Sequence, residues 1–364
     1  MNAKQDSAWI KYLFKGKFLY VWLLLVLISC YFYFFRTKHT PQRAMYYWKT
    51  VFKLSETEKK ALSELKIHRL YVKFFDVKQH TDLGFPIPVG VLKLKENVPD
   101  DIEIIPVVYI VNDVLKRKTH AELEKLAKSI LEKVASIHAG LKKTSLQELQ
   151  IDCDWTGSTK DQYFYLLKQI SSMKSDLKLS ATLRLHQYSN PVQTGIPPVR
   201  SVSLMCYNLQ KSKTADDQNS IIDTETLRKY FAIQNNYPLK LSIALPIFSW
   251  TVVFRHHKPV GIVYALSESE LDKLPVIKSA KDKYKVLQGC SFRNIVFQKG
   301  DELKVEKSDI NTLLQASGLI SKTLENPVGE IIIFDLNERY LQSDFTNNDL
   351  ESLYNSFNAV PAFR

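Results

Sequence analysis

The chain has 364 residues, a formal net charge of +12 and 12% aromatic residues, with only 11 glycines. That length admits a large core, and the composition leaves little room for disorder outside short linkers. Residues 1–43 hold seven basic side chains and one acid, so half of the charge sits there; no basic face interleaved with aromatics follows, and nucleic acid is not expected as a partner.

In chain order, a basic segment over 1–17 precedes the uncharged run Phe18 to Phe35, FLYVWLLLVLISCYFYFF. A run of this length just crosses a bilayer. Tyr and Trp near its ends suit the membrane interface, and the run lacks the amphipathic pattern of a core helix. Two membrane readings stay open. In one, the segment is an uncleaved single-pass transmembrane anchor. In the other, Leu27-Ile28-Ser29-Cys30 resembles a bacterial lipobox, and Cys30 is lipidated after cleavage. The anchor is favoured because Tyr31 to Phe35 continue the apolar run, whose full length is needed to span. Both readings make the membrane a partner and place the remaining chain outside the cytoplasm.

After a linker over 36–43, strand and helix patterns alternate. AMYYWKTVF (44–52) reads as a strand. Ser55 and Glu58 form a capping box that opens the helix SETEKKALSELK. RLYVKFFDV (69–77) is a strand, followed by a Gly- and Pro-bearing loop. IEIIPVVYIV (102–111) is a strand interrupted by Pro106. Thr119 opens a long helix whose Leu123, Leu126, Ile130, Leu131, Val134 and Ile137 share one face, and Gly140 closes it. ELQIDCDWT (148–156) is a strand and TKDQYFYLLKQISSMK a helix. LKLSATLRLH (177–186) and VSLMCYNL (202–209) are strands, TETLRKYFAIQNN (224–236) a helix, and LKLSIALPIF (239–248) a strand. A mixed excursion over 251–328 reads as an α+β insertion. GEIIIFDLNERY (329–340) is the eighth strand and NNDLESLYNSF the last helix. Eight strands separated by helices imply a (β/α)8 TIM barrel over 44–360, with the insertion between strands seven and eight. The GxGxxG fingerprint of a doubly wound sheet is absent.

In such a barrel, functional side chains gather at the carboxyl ends of the strands. Gln150, Asp152, Asp154 and Thr156 alternate along one face of the fourth strand, so both acids converge on the mouth. Burial of adjacent carboxylates raises one pKa and marks a candidate catalytic pair, Asp152 and Asp154. Arg184, Lys73 or backbone amides would satisfy the pair in a purely structural role. Other strand ends supply Tyr46, Trp48, Asp76, Arg184, Tyr207, Asn208, Trp250 and Glu338 as candidate binding residues. Aromatics beside carboxylates suit carbohydrate. His256 and His257 have no third ligand in register, so no metal is expected, and no cofactor. Among the four cysteines, Cys153 and Cys206 sit in apolar runs as small core residues, and no disulfide framework is indicated.

The segment Glu148 to Thr156 resembles the fourth-strand signature D-x-x-D-x-D-x-E of glycoside hydrolase family 18, the chitinase-type barrels. Asp152 and Asp154 match its second and third acids, Leu149 replaces the first, and Thr156 replaces the Glu. Met205-Cys206-Tyr207-Asn208 is similar to the sixth-strand M-x-Y-D, with Asn208 for Asp, and Leu245 to Phe248 to the seventh-strand segment. Phe334 stands nearest the eighth-strand Trp, and the third-strand S-x-G-G is missing. AMYYWKT and RLYVKFFDV also look like segments of bacterial membrane-anchored or lipoprotein barrels of that clan. The resemblance implies that Asp154 and Tyr207 hold a substrate N-acetyl group. It also implies that the acid which protonates the leaving oxygen is lost at Thr156, and general acid help is worth about 100- to 10,000-fold.

Three functions are compatible with these features. The first is a membrane-anchored barrel that binds glycans through a degenerate or altered site. The second is an active glycosidase that pairs Asp152 or Asp154 with Asp76 or Glu338. The third is an envelope scaffold without a glycan ligand. The sequence does not fix an oligomeric state.

Overall fold

The computed structural model describes residues 22, 40–82, 84–143, 145–209, 218–233, 236–264, 266, 268–293 and 295–358. Except for Trp22, the expected anchor at 18–35 lies outside these residues. Among the described residues, no helix is long and apolar enough to cross a membrane.

Eight parallel strands close into a barrel: β1 (Gln42–Tyr47), β2 (Arg69–Gln79), β3 (Glu103–Ile110), β4 (Glu148–Asp152), β5 (Lys178–Arg184), β6 (Ser201–Met205), β7 (Lys240–Pro246) and β8 (Glu330–Phe334). Each pairs with its sequence neighbours, and β1 closes the ring by pairing β8 through Met45–Ile333 and β2 through Met45–Leu70. Pro86–Val89 adds an antiparallel ninth strand on β2. The barrel lies within one compact unit, residues 41–364.

The helices form where the capping chemistry said they would. Ser55 and Glu58 make their reciprocal box at the start of α1 (Glu56–Glu64), and Thr119 and Glu122 do the same for α2 (His120–Gly140). In α2, Leu123, Leu126, Ile130, Val134 and Ile137 are buried as their spacing demands. α3 (Lys160–Met173) packs beside α2.

Several element ends differ from the sequence expectation. AMYYWKTVF breaks after Tyr47, and Val51–Phe52 pairs instead with Lys93–Leu94. β3 runs through Pro106, which pairs in register with Val72 of β2, and the ladder is irregular one position on, at Lys73/Phe75. β4 stops at Asp152 and β5 at Arg184; Leu185–Ser189 is a short helix. β8 stops at Phe334, and Asn337 caps a helix over Glu338–Ser343.

The excursion after β7 holds a five-stranded antiparallel sheet ordered Lys258–Tyr264, Ser249–Arg255, Glu302–Lys307, Lys283–Val286 and Val276–Ala280. Its alternation serves two cores. Trp250, Val252 and Phe254 join the barrel core, while Val253 joins Val263, Tyr284, Val286, Phe297 and Leu303 in a separate small core. The helix Ile310–Thr323 comes next and packs in the barrel's outer ring, against Thr224–Ile233 and Asn347–Asn355.

Inside the barrel, polar residues are satisfied in layers. At the amino end Arg69 reaches Glu103, Glu148 and Glu330 at 3.1, 3.1 and 3.0 Å. One layer up, the Tyr46 hydroxyl donates to Gln150 Oε1 at 2.7 Å, and Gln150 Nε2 donates to Ser203 Oγ at 3.0 Å. This layer closes the barrel below the mouth.

Candidate functional site

A cavity of about 570 Å³ opens at the carboxyl end of the strands. Eight of the ten residues singled out from sequence line it: Tyr46, Trp48, Asp152, Asp154, Arg184, Tyr207, Asn208 and Trp250.

Asp152, the last residue of β4, is 5% exposed. The Thr182 hydroxyl of β5 donates to its Oδ1 at 2.7 Å. Burial pushes its carboxyl up to about 7, against the pull of that hydrogen bond, and the Asp154 charge adds to the rise. Asp154 lies past the strand end and is half exposed, with Arg184 Nε 3.5 Å from its Oδ1. Arg184 also donates to the Asn208 carbonyl at 2.8 Å, which ties the ends of β5 and β6 together. Asn208 itself sits in the left-handed region, at φ 53°.

Thr156, at the position of the family acid, does not line the cavity. Its hydroxyl lies 2.9 Å from Ser158 Oγ, and its N–H donates to Thr159 Oγ1 at 3.0 Å. Thr159 in turn donates to Asn112 at 2.6 Å. β4 has already ended by this point, so strand alternation no longer sets where the side chain goes.

The remaining two candidates are held elsewhere. Asp76 is level with Tyr109 and Asp152 in strand register, yet its carboxylate lies 3.3 Å from Lys73 and outside the cavity lining. Glu338 opens the short helix after β8, and its carboxylate accepts from Gln342 at 2.8 Å and from Thr57 at 3.4 Å. His186, expected on the fifth strand, belongs to the helix Leu185–Ser189.

The walls are aromatic. Trp48 and Phe334 meet at 5.4 Å between ring centroids, Phe334 and Tyr207 stack at 5.4 Å, and Phe248 touches both Phe334 (5.6 Å) and Trp250 (5.4 Å). Trp250 lies on the first strand of the insertion, and its Nε1 donates to the buried Glu306 at 2.8 Å. Glu306 also accepts from Ser220 and lies 2.8 Å from Lys304. Tyr264, on the neighbouring strand and 63% exposed, continues the aromatic track at 6.1 Å from Trp250.

Sequence reasoning missed Lys49, Tyr109, Tyr264, Asp335, Asn337 and Tyr340 among the lining residues. Asp335 matters most. It comes directly after β8, is 8% exposed, and burial pushes its carboxyl up to about 7, with Lys49 pulling the other way. Its signal was the Asn337 cap two residues on, which ends the strand before 335. Among the described residues, no group of three His, Cys, Asp or Glu is placed to hold a metal ion.

A closed parallel barrel with a sheet inserted before its last strand, and an acid-bearing aromatic cavity at its carboxyl end, defines a (β/α)8 barrel with a candidate site at its mouth. No family model matches the sequence, and no curated protein sequence does. Among solved structures, the chain is similar to the spore cortex-lytic enzyme SleL of Bacillus cereus, at 15% identity and a TM-score of 0.50, over 88% of this chain and 75% of that one. SleL of Bacillus megaterium QM B1551 aligns at 10% identity and a TM-score of 0.47, over 85% and 73%. The catalytic domain of a hyperthermophilic chitinase from Pyrococcus furiosus aligns at 10% and 0.43, over 88% and 95%. At this identity the first likeness shows the fold. The distant resemblance to chitinase-type barrels that the fourth- and sixth-strand motifs implied therefore holds at that level.

Proposed function

We propose that the chain is a membrane-tethered, extracytoplasmic barrel that binds glycans in the cavity at its carboxyl end and does not cleave them by the chitinase-type route. The observation that carries this reading is the pairing of an intact aromatic cavity, bearing Asp152, Asp154 and Tyr207, with Thr156 turned out of that cavity. Aromatic rings offer flat apolar faces to the C–H side of a sugar, while carboxyls and amides serve its hydroxyls. Without an acid at 156 the leaving oxygen has no proton donor in the family's position. The run over 18–35 supplies the tether, by spanning or through a lipid on Cys30.

A glycosidase built on Asp152 or Asp154 with Asp76 or Glu338 draws no support from the geometry, because neither second acid lines the cavity. Incubating the full chain with chitin, peptidoglycan and neutral oligosaccharides, and recording bound ligand and released product together, tests the reading. Saturable binding without product is expected; absence of binding across the panel overturns it. Fractionation of expressing cells should place the chain in the membrane pellet, and recovery in the soluble fraction would refute the tether.

A further inference from the structure

The glycan reading leaves the sugar class open, and a choice of sugar class rests on that reading. The cavity wall carries three carboxyls, Asp152, Asp154 and Asp335, against two cations among the described residues. Its two described cations each have a carboxylate of their own: Lys49 pairs with Glu58, and Arg184 with Asp154 at 3.5 Å. Asp152 keeps one neutral donor, Thr182. Asp335, more than nine-tenths buried, receives no hydrogen bond from another described residue and no ion pair, its own backbone N–H aside. Asn208 Oδ1, on the same wall, is buried without a hydrogen-bond partner.

These groups are spread around the mouth. Asp152 ends β4, Asn208 comes after β6 and Asp335 after β8. In the closed ring, three strands separate β4 from β8 on either side, so the two acids stand on opposite sides of the opening. A buried carboxyl without a cation is costly, and a ligand that brings the cation removes that cost. An ammonium group offers three donors and a positive charge, and the faces of Trp48, Phe334 and Tyr207 attract the same charge.

We propose that the cavity selects saccharides bearing a free primary amine, glucosamine-type units, over their N-acetylated counterparts. Acetylation removes the charge and leaves a single N–H, so it strips the ligand of what the wall lacks. Burial raises the carboxyls of Asp152 and Asp335, and the nearby Arg184 and Lys49, each already paired with another acid, offset that rise only in part.

The test is calorimetric titration of the full chain, purified in mild detergent, with glucosamine tetrasaccharide and with N-acetylglucosamine tetrasaccharide near neutral pH. The free-amine ligand is expected to bind at least about tenfold more tightly, the scale of a charge-assisted hydrogen bond. Asp152→Asn and Asp335→Asn should each bring the two affinities closer together, and thermal unfolding of each variant checks that it folds. The wild-type ratio stands as a test even if a variant does not fold. Equal affinities, or tighter binding of the N-acetylated ligand, overturn this inference and leave the glycan reading in place. Binding of neither ligand, with the rest of the glycan panel also silent, overturns both.

Discussion

Asp152 and Asp335 stand at the ends of strands on opposite sides of the barrel, both buried and both at the wall of one cavity. Neither has a cation of its own, and burial holds both carboxyls near 7. A folded state that keeps two carboxyls protonated well above their usual range has a pH signature.

That signature is in stability. Each group binds its proton more tightly folded than unfolded, so its contribution is fully present below about pH 4 and is lost as pH rises through about 7. Asp152→Asn and Asp335→Asn should therefore each stabilise the protein at pH 8, by on the order of 1–4 kcal/mol, and have little effect at pH 4. Denaturant melts at the two pH values check this. A variant that destabilises at pH 8 and has little effect at pH 4 would show that the carboxyl is favourably ionised in the fold.

Thr156→Glu should not create a hydrolase. The side chain at 156 lies past the end of β4 and points among Ser158 and Thr159, away from the cavity. Product analysis on chitin oligosaccharides should show no gain over the wild type. A gain near the roughly 100-fold floor of general acid catalysis would mean that a carboxylate at 156 reaches the bound sugar after all.

The insertion contributes a wall of the cavity through Trp250, and Glu306 holds that indole. Glu306→Ala removes the acceptor shared by Trp250 and Ser220 and the partner of Lys304. Loss of about 3–5 kcal/mol of stability is expected, as for breaking a buried charged pair from one side. Chemical denaturation measures it, and a loss under about 1 kcal/mol, typical of exposed pairs, would place the network in solvent.

Phe334→Ala should weaken glycan binding by about 1–3 kcal/mol, because Phe334 contacts Tyr46, Trp48, Tyr207 and Phe248 and organises the aromatic wall. Titration with whichever oligosaccharide the wild type binds checks this. Unchanged affinity would move the sugar away from this wall.

The order of strands and helices was legible because alternation and capping are local. Ser55 with Glu58, and Thr119 with Glu122, are visible in any linear reading, and both boxes form. Strand ends were less legible. Polar residues continue the alternation past Asp152 and Phe334, so a pattern of period two runs on where the chain has already left the sheet. That is why Asp335 read as a strand position and why Thr156 was placed on the same face as Asp152. Pairing across the barrel is equally invisible along the chain: Asp76 sits level with Asp152, yet its carboxylate lies beside Lys73 and outside the cavity lining. Tyr264 and Tyr340 come to the wall from an insertion and a helix whose packing no local spacing encodes.

A cavity that holds a glycan and leaves it intact can be recognised in a single experiment. The full chain is incubated with an oligosaccharide panel that includes chitin and peptidoglycan fragments. Binding is read by calorimetry, and ligand length by mass spectrometry, on the same samples. Saturable binding is expected, with every bound oligosaccharide recovered at its original length. Shortened products that disappear in Asp152→Asn or Asp335→Asn would refute the binding-only reading and reveal an enzyme with a relocated acid.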